Sequence, residues 1–227
     1  MNSQDTLSSA DGQFALQFLI REPNTTSETK KAVILLHGVG SNEHDLFSFS
    51  DQFPEDILVI SPRGLYTIGA GRYAWYEVDF STGKPIINAK QEEKSRKTLQ
   101  FFIERLKQQY NLDQVYVGGF SQGAIMSFTL GLTHPAEITG IIALSGRILD
   151  EIRPLVQKDA SLEKLKVFLA HGVQDNTLPV GYAREAKEYL ESLGIQLSYR
   201  EYPVAHEINK DVLEDLIEWI AADADGL

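Results

Sequence analysis

The chain has 227 residues, of which 43% are hydrophobic and 23% are charged, a composition typical of a folded globular domain. Its 21 Lys and Arg residues against 32 Asp and Glu residues give a net charge of -11, which argues against binding to nucleic acid or to an anionic membrane surface. The absence of cysteine excludes disulfides, thiolate catalysis and cysteine-ligated metal sites.

No run of about 18 apolar residues occurs, and the first residues lack the basic and apolar regions of a signal peptide. We therefore expect no stable membrane insertion and a cytoplasmic location. The length allows one or two domains, and we expect a single domain over 1–227 with a flexible segment at 1–12.

Short apolar runs that end in Gly, Pro or Ser alternate with segments of helical spacing, as in a sheet of parallel strands joined by helices. Most runs are apolar on both faces, which indicates buried parallel strands, whereas the first partly alternates and suits a sheet edge. The predicted strands are 14–20, 32–36, 57–60, 115–119, 141–144, 166–170 and 197–202. The predicted helices are 91–110, 122–133, 180–193 and 207–222.

Two segments depart from this alternation of predicted strands and helices. Residues 62–88 are rich in glycine and aromatic residues and follow a buried strand, while 146–165 follow another. Long loops in compact domains are usually functional or disordered, and the aromatic content of 62–88 argues against disorder. We expect 62–88 to contribute to a substrate pocket.

Residues 115–126, VYVGGFSQGAIM, join a strand-like run to a helical pattern through Gly-Phe-Ser-Gln-Gly. A sharp turn from strand to helix strains its central residue, and small residues two positions on either side let strand and helix pass closely. Both of those positions, 119 and 123, are glycine. We predict that Ser121 is a nucleophile at the N-terminus of the helix, the alternative being an ordinary Gly-Ser turn.

A serine nucleophile needs a base to accept its proton and a third group to orient that base. At such a turn the acid and then the histidine follow the serine along the chain, and only His171 and His206 come after Ser121. His206 lies between the last predicted strand and helix and is the predicted base. Asp175 closely follows a strand and is favoured as the acid over Asp150, because a short loop fixes a carboxylate better than a long one.

Residues 37–40, HGVG, follow the strand predicted at 32–36, and their glycines allow a backbone N–H to turn toward the nucleophile. We predict an oxyanion hole formed by the backbone N–H groups of Val39 and Gln122. We expect the imidazole of His37 to be hydrogen-bonded at the strand end. No histidine pair has metal-ligand spacing and the third glycine of a dinucleotide loop is missing, so we expect no metal and no cofactor.

Seven blocks of sequence, in order, resemble the phospholipase/carboxylesterase family of α/β-hydrolases, which includes acyl-protein thioesterases. They lie within about residues 30–220 and read LLHGVGSNEHDL, SPRG, WYEVD, GGFSQGAIM, LSGR, AHGVQDNTLPV and YPVAHEI. The resemblance implies the α/β-hydrolase fold: a mostly parallel central sheet, helices on both faces and no large separate cap domain. The first block, with Ser41, is more similar to small bacterial carboxylesterases than to eukaryotic thioesterases.

By this resemblance Ser121, Asp175 and His206 correspond to the catalytic triad and Val39 with Gln122 to the oxyanion hole. Trp75 corresponds to an aromatic residue near the acyl pocket, although a core role that anchors the 62–88 loop is the alternative. Two further candidates for the pocket are Ile68 and Leu178.

The predicted function is that of a cofactor-free serine carboxylesterase, which hydrolyses short-to-medium acyl esters or thioesters of small molecules through an acyl-enzyme intermediate. Lysophospholipase or acyl-protein thioesterase activity is the alternative within the family. The alternative from another class is a binder of small molecules without turnover. A homodimer is compatible with the sequence.

Overall fold

The computed structural model describes residues 16–79, 81 and 85–224. The segment 1–12, expected to be flexible, lies outside the described residues, as do the start of the first predicted strand and positions 80 and 82–84 of the 62–88 loop.

The central feature is a sheet of seven strands, six of which run parallel. The described residues form eleven strands, β1 (Phe18–Arg21), β2 (Lys31–Leu36), β3 (Ile57–Pro62), β4 (Tyr66–Gly69), β5 (Arg72–Ala74), β6 (Val78–Asp79), β7 (Ile86–Ile87), β8 (Gln114–Phe120), β9 (Gly140–Leu144), β10 (Lys166–Gly172) and β11 (Gln196–Tyr202). The central sheet has the order β1-β3-β2-β8-β9-β10-β11. Only β1, at one edge, is antiparallel to its neighbour in that sheet. The predicted strands, including the edge strand, are confirmed.

Helices cover both faces of the sheet. The helices are α1 (His44–Phe47), α2 (Ala89–Tyr110), α3 (Gln122–Thr133), α4 (Gly181–Ser192) and α5 (Lys210–Ala224). Alternate residues of β2 enter two separate apolar cores: Ile34 packs with residues of α2, α3 and α4, whereas Val33 packs with residues of α1 and α5. The expected α/β class with helices on both faces is confirmed.

Two helices begin two or three residues away from their predicted starts, and asparagine side chains explain both starts. Asn88 accepts the backbone N–H of Gln91, so α2 begins at Ala89 rather than at 91. Asn209 accepts the N–H of Val212, so α5 begins at Lys210 rather than at 207. In each case the amide oxygen satisfies an N–H that the first helical turn leaves without a partner.

The 62–88 excursion contains two small antiparallel hairpins, β4–β5 and β6–β7, which the sequence did not predict. The first hairpin is attached to the loop after β2: Gly40 N–H donates to the Tyr73 carbonyl and Tyr73 N–H donates to the Ser41 carbonyl, both at 2.8 Å. The 146–165 segment contains two short 3₁₀ helices, Asp150–Leu155 and Leu162–Lys164. Within the described part of the chain, no helix is long and apolar enough to cross a membrane.

The turn from β8 to α3 depends on two glycines that allow close backbone contact. A Cβ at Gly119 would lie 2.4 Å from the backbone carbon of Gly123, and a Cβ at Gly123 would lie 1.8 Å from the carbonyl oxygen of Leu36. Real Cβ atoms essentially never approach other atoms so closely. The predicted close passage of strand and helix is therefore confirmed, with β2 as a third participant.

We predict that Gly123→Ala destabilises the protein by more than about 3 kcal/mol, because backbone atoms of β2 cannot yield as a side chain would. The matched control is Gly181→Ala at the start of α4, where a Cβ would meet no described atom within 4 Å. That substitution should be neutral or stabilise by up to about 1 kcal/mol. Urea unfolding of both variants measures the difference, and equal stability of the two would contradict the packing described.

Candidate active site

Ser121 occupies the turn between β8 and α3 in a strained backbone conformation, with φ 54° and ψ -116°. Positive φ is unusual for a residue other than glycine and is maintained only where the surrounding structure enforces it. Here Ser121 N–H donates to the Leu144 carbonyl at 2.9 Å and the Ser121 carbonyl accepts from Ile125 N–H at 3.1 Å. These bonds on both sides hold the serine side chain clear of the helix.

A chain of hydrogen bonds joins Ser121 to His206 and Asp175. His206 Nε2 lies 3.0 Å from Ser121 Oγ, and His206 Nδ1 lies 2.6 Å from Asp175 Oδ2. An ionised carboxylate can only accept, so the proton of the neutral imidazole resides on Nδ1. Nε2 then has a free lone pair directed at the serine hydroxyl.

Asp175 is fully buried and held by donors to both carboxylate oxygens. Its Oδ1 accepts the backbone N–H groups of Thr177 and Leu178, each at 2.8 Å. Its Oδ2 faces His206 and also His171, whose Nε2 lies 3.3 Å away. These contacts leave the carboxylate one orientation, with Oδ2 toward His206.

The loops that carry Asp175 and His206 are joined to each other. Val173 N–H donates to the Tyr202 carbonyl at 2.8 Å, and Gln174 N–H donates to the Val204 carbonyl at 3.0 Å. The ring of Phe120, next to the serine, packs against the His206 ring at a centroid distance of 4.7 Å. Three loops from strands β8, β10 and β11 thus meet at the carboxyl edge of the sheet, where sites in such folds collect.

The structure separates the two acidic candidates. Asp150 is 84% exposed in its side chain and pairs with Arg153 at 3.0 Å, whereas Asp175 contacts His206. His171 is buried at the end of β10, as expected for a residue at a strand end, and its Nε2 lies 2.7 Å from the Leu178 carbonyl.

The loop after β2 lies against the serine. A Cβ at Gly38 would be 3.5 Å from both Ser121 Cβ and the Phe120 carbonyl oxygen. Val39 follows, with its side chain half exposed, and Gly40 has a positive φ of 84° that allows the loop to turn. Gln122 begins α3, so its backbone N–H has no intrahelical acceptor. The two predicted oxyanion donors therefore belong to the residue that follows Ser121 and to the loop that lies against it.

The side chain of Gln122 has a structural role that the sequence did not reveal. It is buried, its Oε1 accepts the Trp75 backbone N–H at 2.9 Å, and its Nε2 donates to the Tyr76 carbonyl at 2.7 Å. The side-chain amide thus both accepts from and donates to the backbone, as a neighbouring strand would. It attaches the 62–88 excursion to the first residue of α3.

Trp75 is completely buried, which favours the core role over a place in the wall of the acyl pocket. Its indole N–H donates to the His37 carbonyl at 2.9 Å, its ring lies 5.3 Å from the His37 ring, and it belongs to the main apolar core. These are the contacts of a residue that anchors a loop. Of the other pocket candidates, Ile68 is exposed on β4, and Leu178 is half-buried beside Asp175.

A buried ion pair supports the same loop and was also missed by sequence reasoning. Glu43 is fully buried in its side chain, and Arg63 donates to both of its carboxylate oxygens. Burial alone would raise the pKa of Glu43, but the hydrogen bonds and charge of Arg63 hold that pKa below its ordinary value. The Arg63 guanidinium also lies 4.6 Å from the centre of the Tyr73 ring. Two residues 20 positions apart, one of them in a short loop, give no sequence signal of such a pair.

Among the described residues, no group of three or more His, Asp or Glu side chains has the arrangement needed to hold a metal ion.

Comparisons with known proteins identify the family of the chain. The model of the Phospholipase/Carboxylesterase family matches residues 20–223. Acyl-protein thioesterase 1 of Candida albicans is 30% identical in an alignment of 224 positions that covers 88% of this chain and 95% of that protein. The crystal structure of esterase PE8 has a TM-score of 0.77 at 26% identity and covers 91% of this chain and 98% of its own.

The Bacillus cereus carboxylesterase has a TM-score of 0.78 at 21% identity and covers 92% of this chain and 94% of its own. At that identity the likeness shows the fold, which is the α/β-hydrolase fold expected from the sequence. A family match over nearly the whole chain, joined to a relative of similar length, shows the family directly. The chain belongs to the phospholipase/carboxylesterase family of α/β-hydrolases.

Proposed function

We propose that the protein is a serine carboxylesterase that hydrolyses short-to-medium acyl esters or thioesters of small molecules through an acyl-enzyme intermediate. The observation that carries the proposal is the continuous hydrogen-bond chain from Ser121 Oγ through His206 to Asp175. Membership of a family of ester hydrolases supports it.

In the first half of the reaction, Ser121 Oγ attacks the acyl carbon while His206 Nε2 accepts the hydroxyl proton. The Nδ1–H bond to Asp175 holds the imidazole in the required tautomer and stabilises the imidazolium that forms. The oxyanion of the tetrahedral intermediate accepts hydrogen bonds from the backbone N–H groups of Val39 and Gln122. His206 then returns the proton to the leaving alcohol or thiol.

In the second half, water replaces the serine as the attacking group. His206 removes a proton from the water, the new tetrahedral intermediate uses the same two backbone donors, and collapse releases the carboxylic acid. The returning proton restores the Ser121 hydroxyl. Because the same base and donors serve both halves, one constellation suffices for the complete cycle.

The names of the relatives imply different leaving groups. The Candida albicans relative is called an acyl-protein thioesterase, and the Bacillus cereus neighbour a carboxylesterase. Both activities use the chemistry above, so acyl-protein thioesterase or lysophospholipase activity is the alternative within the proposal. Initial rates on matched p-nitrophenyl esters, acyl thioesters and lysophospholipid rank the three.

We predict that Ser121→Ala and His206→Ala each lower kcat on p-nitrophenyl butyrate by roughly 10⁴- to 10⁶-fold, since each removes a partner in the same proton transfer. The double variant should be no more than a few-fold worse than either single one, because members of a triad act as a unit. Steady-state kinetics on all three proteins measure this. Losses that multiply in the double variant would show that the two residues are not partners.

We predict that Asp175→Asn lowers kcat by about 10⁴-fold, because an amide facing Nδ1 no longer favours the tautomer with a free Nε2 lone pair. Asp150→Asn is the matched control, since Asp150 is exposed and paired with Arg153 on the surface. It should keep kcat within about twofold. The reverse order of the two variants would transfer the role of the acid to Asp150.

We predict that Trp75→Ala lowers the free energy of unfolding by about 3–5 kcal/mol. It should also reduce kcat/KM to the same extent for all esters from acetate to octanoate. The reason is its complete burial. Ile68→Ala, at an exposed position, should change stability by less than about 0.5 kcal/mol.

The pair is measured by thermal melts and an acyl-length series. If Trp75→Ala instead kept its melting temperature and lost activity only on long esters, Trp75 would be a wall of the acyl pocket after all.

A further inference from the structure

We infer that His37, a buried residue outside the triad, is a positioning residue that fixes the oxyanion donor of Val39. The inference rests on the proposed function, because it concerns a donor to the same reaction intermediate. It is carried by the hydrogen bonds of the His37 ring and by the geometry of the peptide bond that links Gly38 to Val39.

The two nitrogens of the His37 ring have different partners, and these partners determine where its proton lies. Nε2 is 2.9 Å from the backbone nitrogen of Gly64, which can only donate, so Nε2 must be the unprotonated acceptor. The proton of the neutral ring therefore lies on Nδ1, which donates to the Gly38 carbonyl at 2.8 Å. Burial of the ring lowers the pKa of His37 and favours this neutral form.

The Gly38 carbonyl is thereby held by two donors. Its oxygen accepts from His37 Nδ1 and, at 3.2 Å, from the backbone N–H of Ser41. The peptide bond to Val39 is trans, as are all peptide bonds of the described residues. In a trans peptide the C=O and the following N–H point in opposite directions, so fixing the oxygen also fixes the Val39 N–H, directed away from the imidazole.

This peptide needs an external restraint because glycines flank it. Gly38 precedes it, Gly40 follows Val39 with φ 84°, and glycine offers little resistance to rotation of a neighbouring peptide plane. Rotation by about 180° would present the Gly38 oxygen where the N–H should be, and an oxygen there repels the developing oxyanion. The His37 bond opposes that rotation.

His37 is itself rigidly held, as a positioning residue must be. Its side chain is fully buried, its backbone carbonyl accepts the Trp75 indole N–H at 2.9 Å, and its ring lies 5.3 Å from the Trp75 ring. His37 is thus fixed at its backbone carbonyl, and its ring is fixed at both nitrogens and packs against Trp75. Such a fixed donor can maintain the orientation of a peptide plane that is flexible by sequence.

Two substitutions separate the bonds that the ring makes. In His37→Asn the side-chain NH₂ can take the place of Nδ1 and still donate to the Gly38 carbonyl. In His37→Gln the amide oxygen can take the place of Nε2 and still accept from Gly64, but the donor to Gly38 is lost. Each variant loses one hydrogen bond, so the two should be destabilised to a similar extent.

We expect His37→Gln to lower kcat on p-nitrophenyl butyrate by about 10²-fold with KM within about twofold, the signature of an interaction made in the transition state. His37→Asn should keep a kcat at least about tenfold higher than His37→Gln. A role in folding alone would instead lower the activity of both variants equally, in proportion to their melting temperatures. Equal kcat values for the two variants, or a wild-type kcat for His37→Gln, would overturn the inference.

Two further measurements keep the tests distinct. In the wild-type protein, a burst of p-nitrophenol that Ser121→Ala abolishes reports the proposed function; if that burst is present while the His37 variants behave alike, only the present inference fails. If neither variant folds, ¹⁵N–¹H NMR of the wild-type imidazoles decides. A His37 ring protonated on Nδ1 supports the inference, and one protonated on Nε2 overturns it.

Discussion

The site depends on one close contact, in which the backbone of α3 passes the ends of β8 and β2 with no room for a side chain. A Cβ at Gly123 would lie 1.8 Å from the Leu36 carbonyl oxygen. This passage forces the intervening residue, Ser121, to a positive φ and places its hydroxyl outside the helix. It also brings the end of β2 beside the serine, so the position of the loop that carries Val39, the proposed second oxyanion donor, follows from the same constraint.

The remaining groups reach the serine because parallel strands end at a common edge. Asp175 follows β10 and His206 follows β11, and backbone hydrogen bonds join their two loops before any side chain contributes. The 62–88 excursion is attached to α3 by the Gln122 side chain, which accepts the backbone N–H of Trp75. The Trp75 indole attaches it to His37, at the end of β2. The three residues of the hydrogen-bond chain are thus held by backbone and buried contacts, which in the proposed reaction limits the loss of conformational entropy on reaching the transition state.

The strands, the longer helices and the residues of the hydrogen-bond chain could be predicted from the sequence, because apolar runs, helical spacing and the glycines at 119 and 123 are local signals. The two hairpins after β3 could not, since strands of two to four residues leave no periodic pattern. The burial of Trp75 could not be predicted either, because an aromatic residue beside glycines suits both a pocket wall and a core anchor. The hydrogen bond from Gly64 to the His37 ring could not be predicted either, because it joins residues 27 positions apart that only the folded chain brings together.

The central claim is that Ser121 is the activated nucleophile, and covalent labelling tests it most directly. A fluorophosphonate reacts with a serine only when a base and an oxyanion site activate it. Intact-mass spectrometry after labelling should show one adduct per chain, and peptide mapping should locate it on Ser121, with no adduct on Ser121→Ala. An unlabelled wild-type protein, or an adduct on another residue, would contradict the claim and favour a binding role for the site.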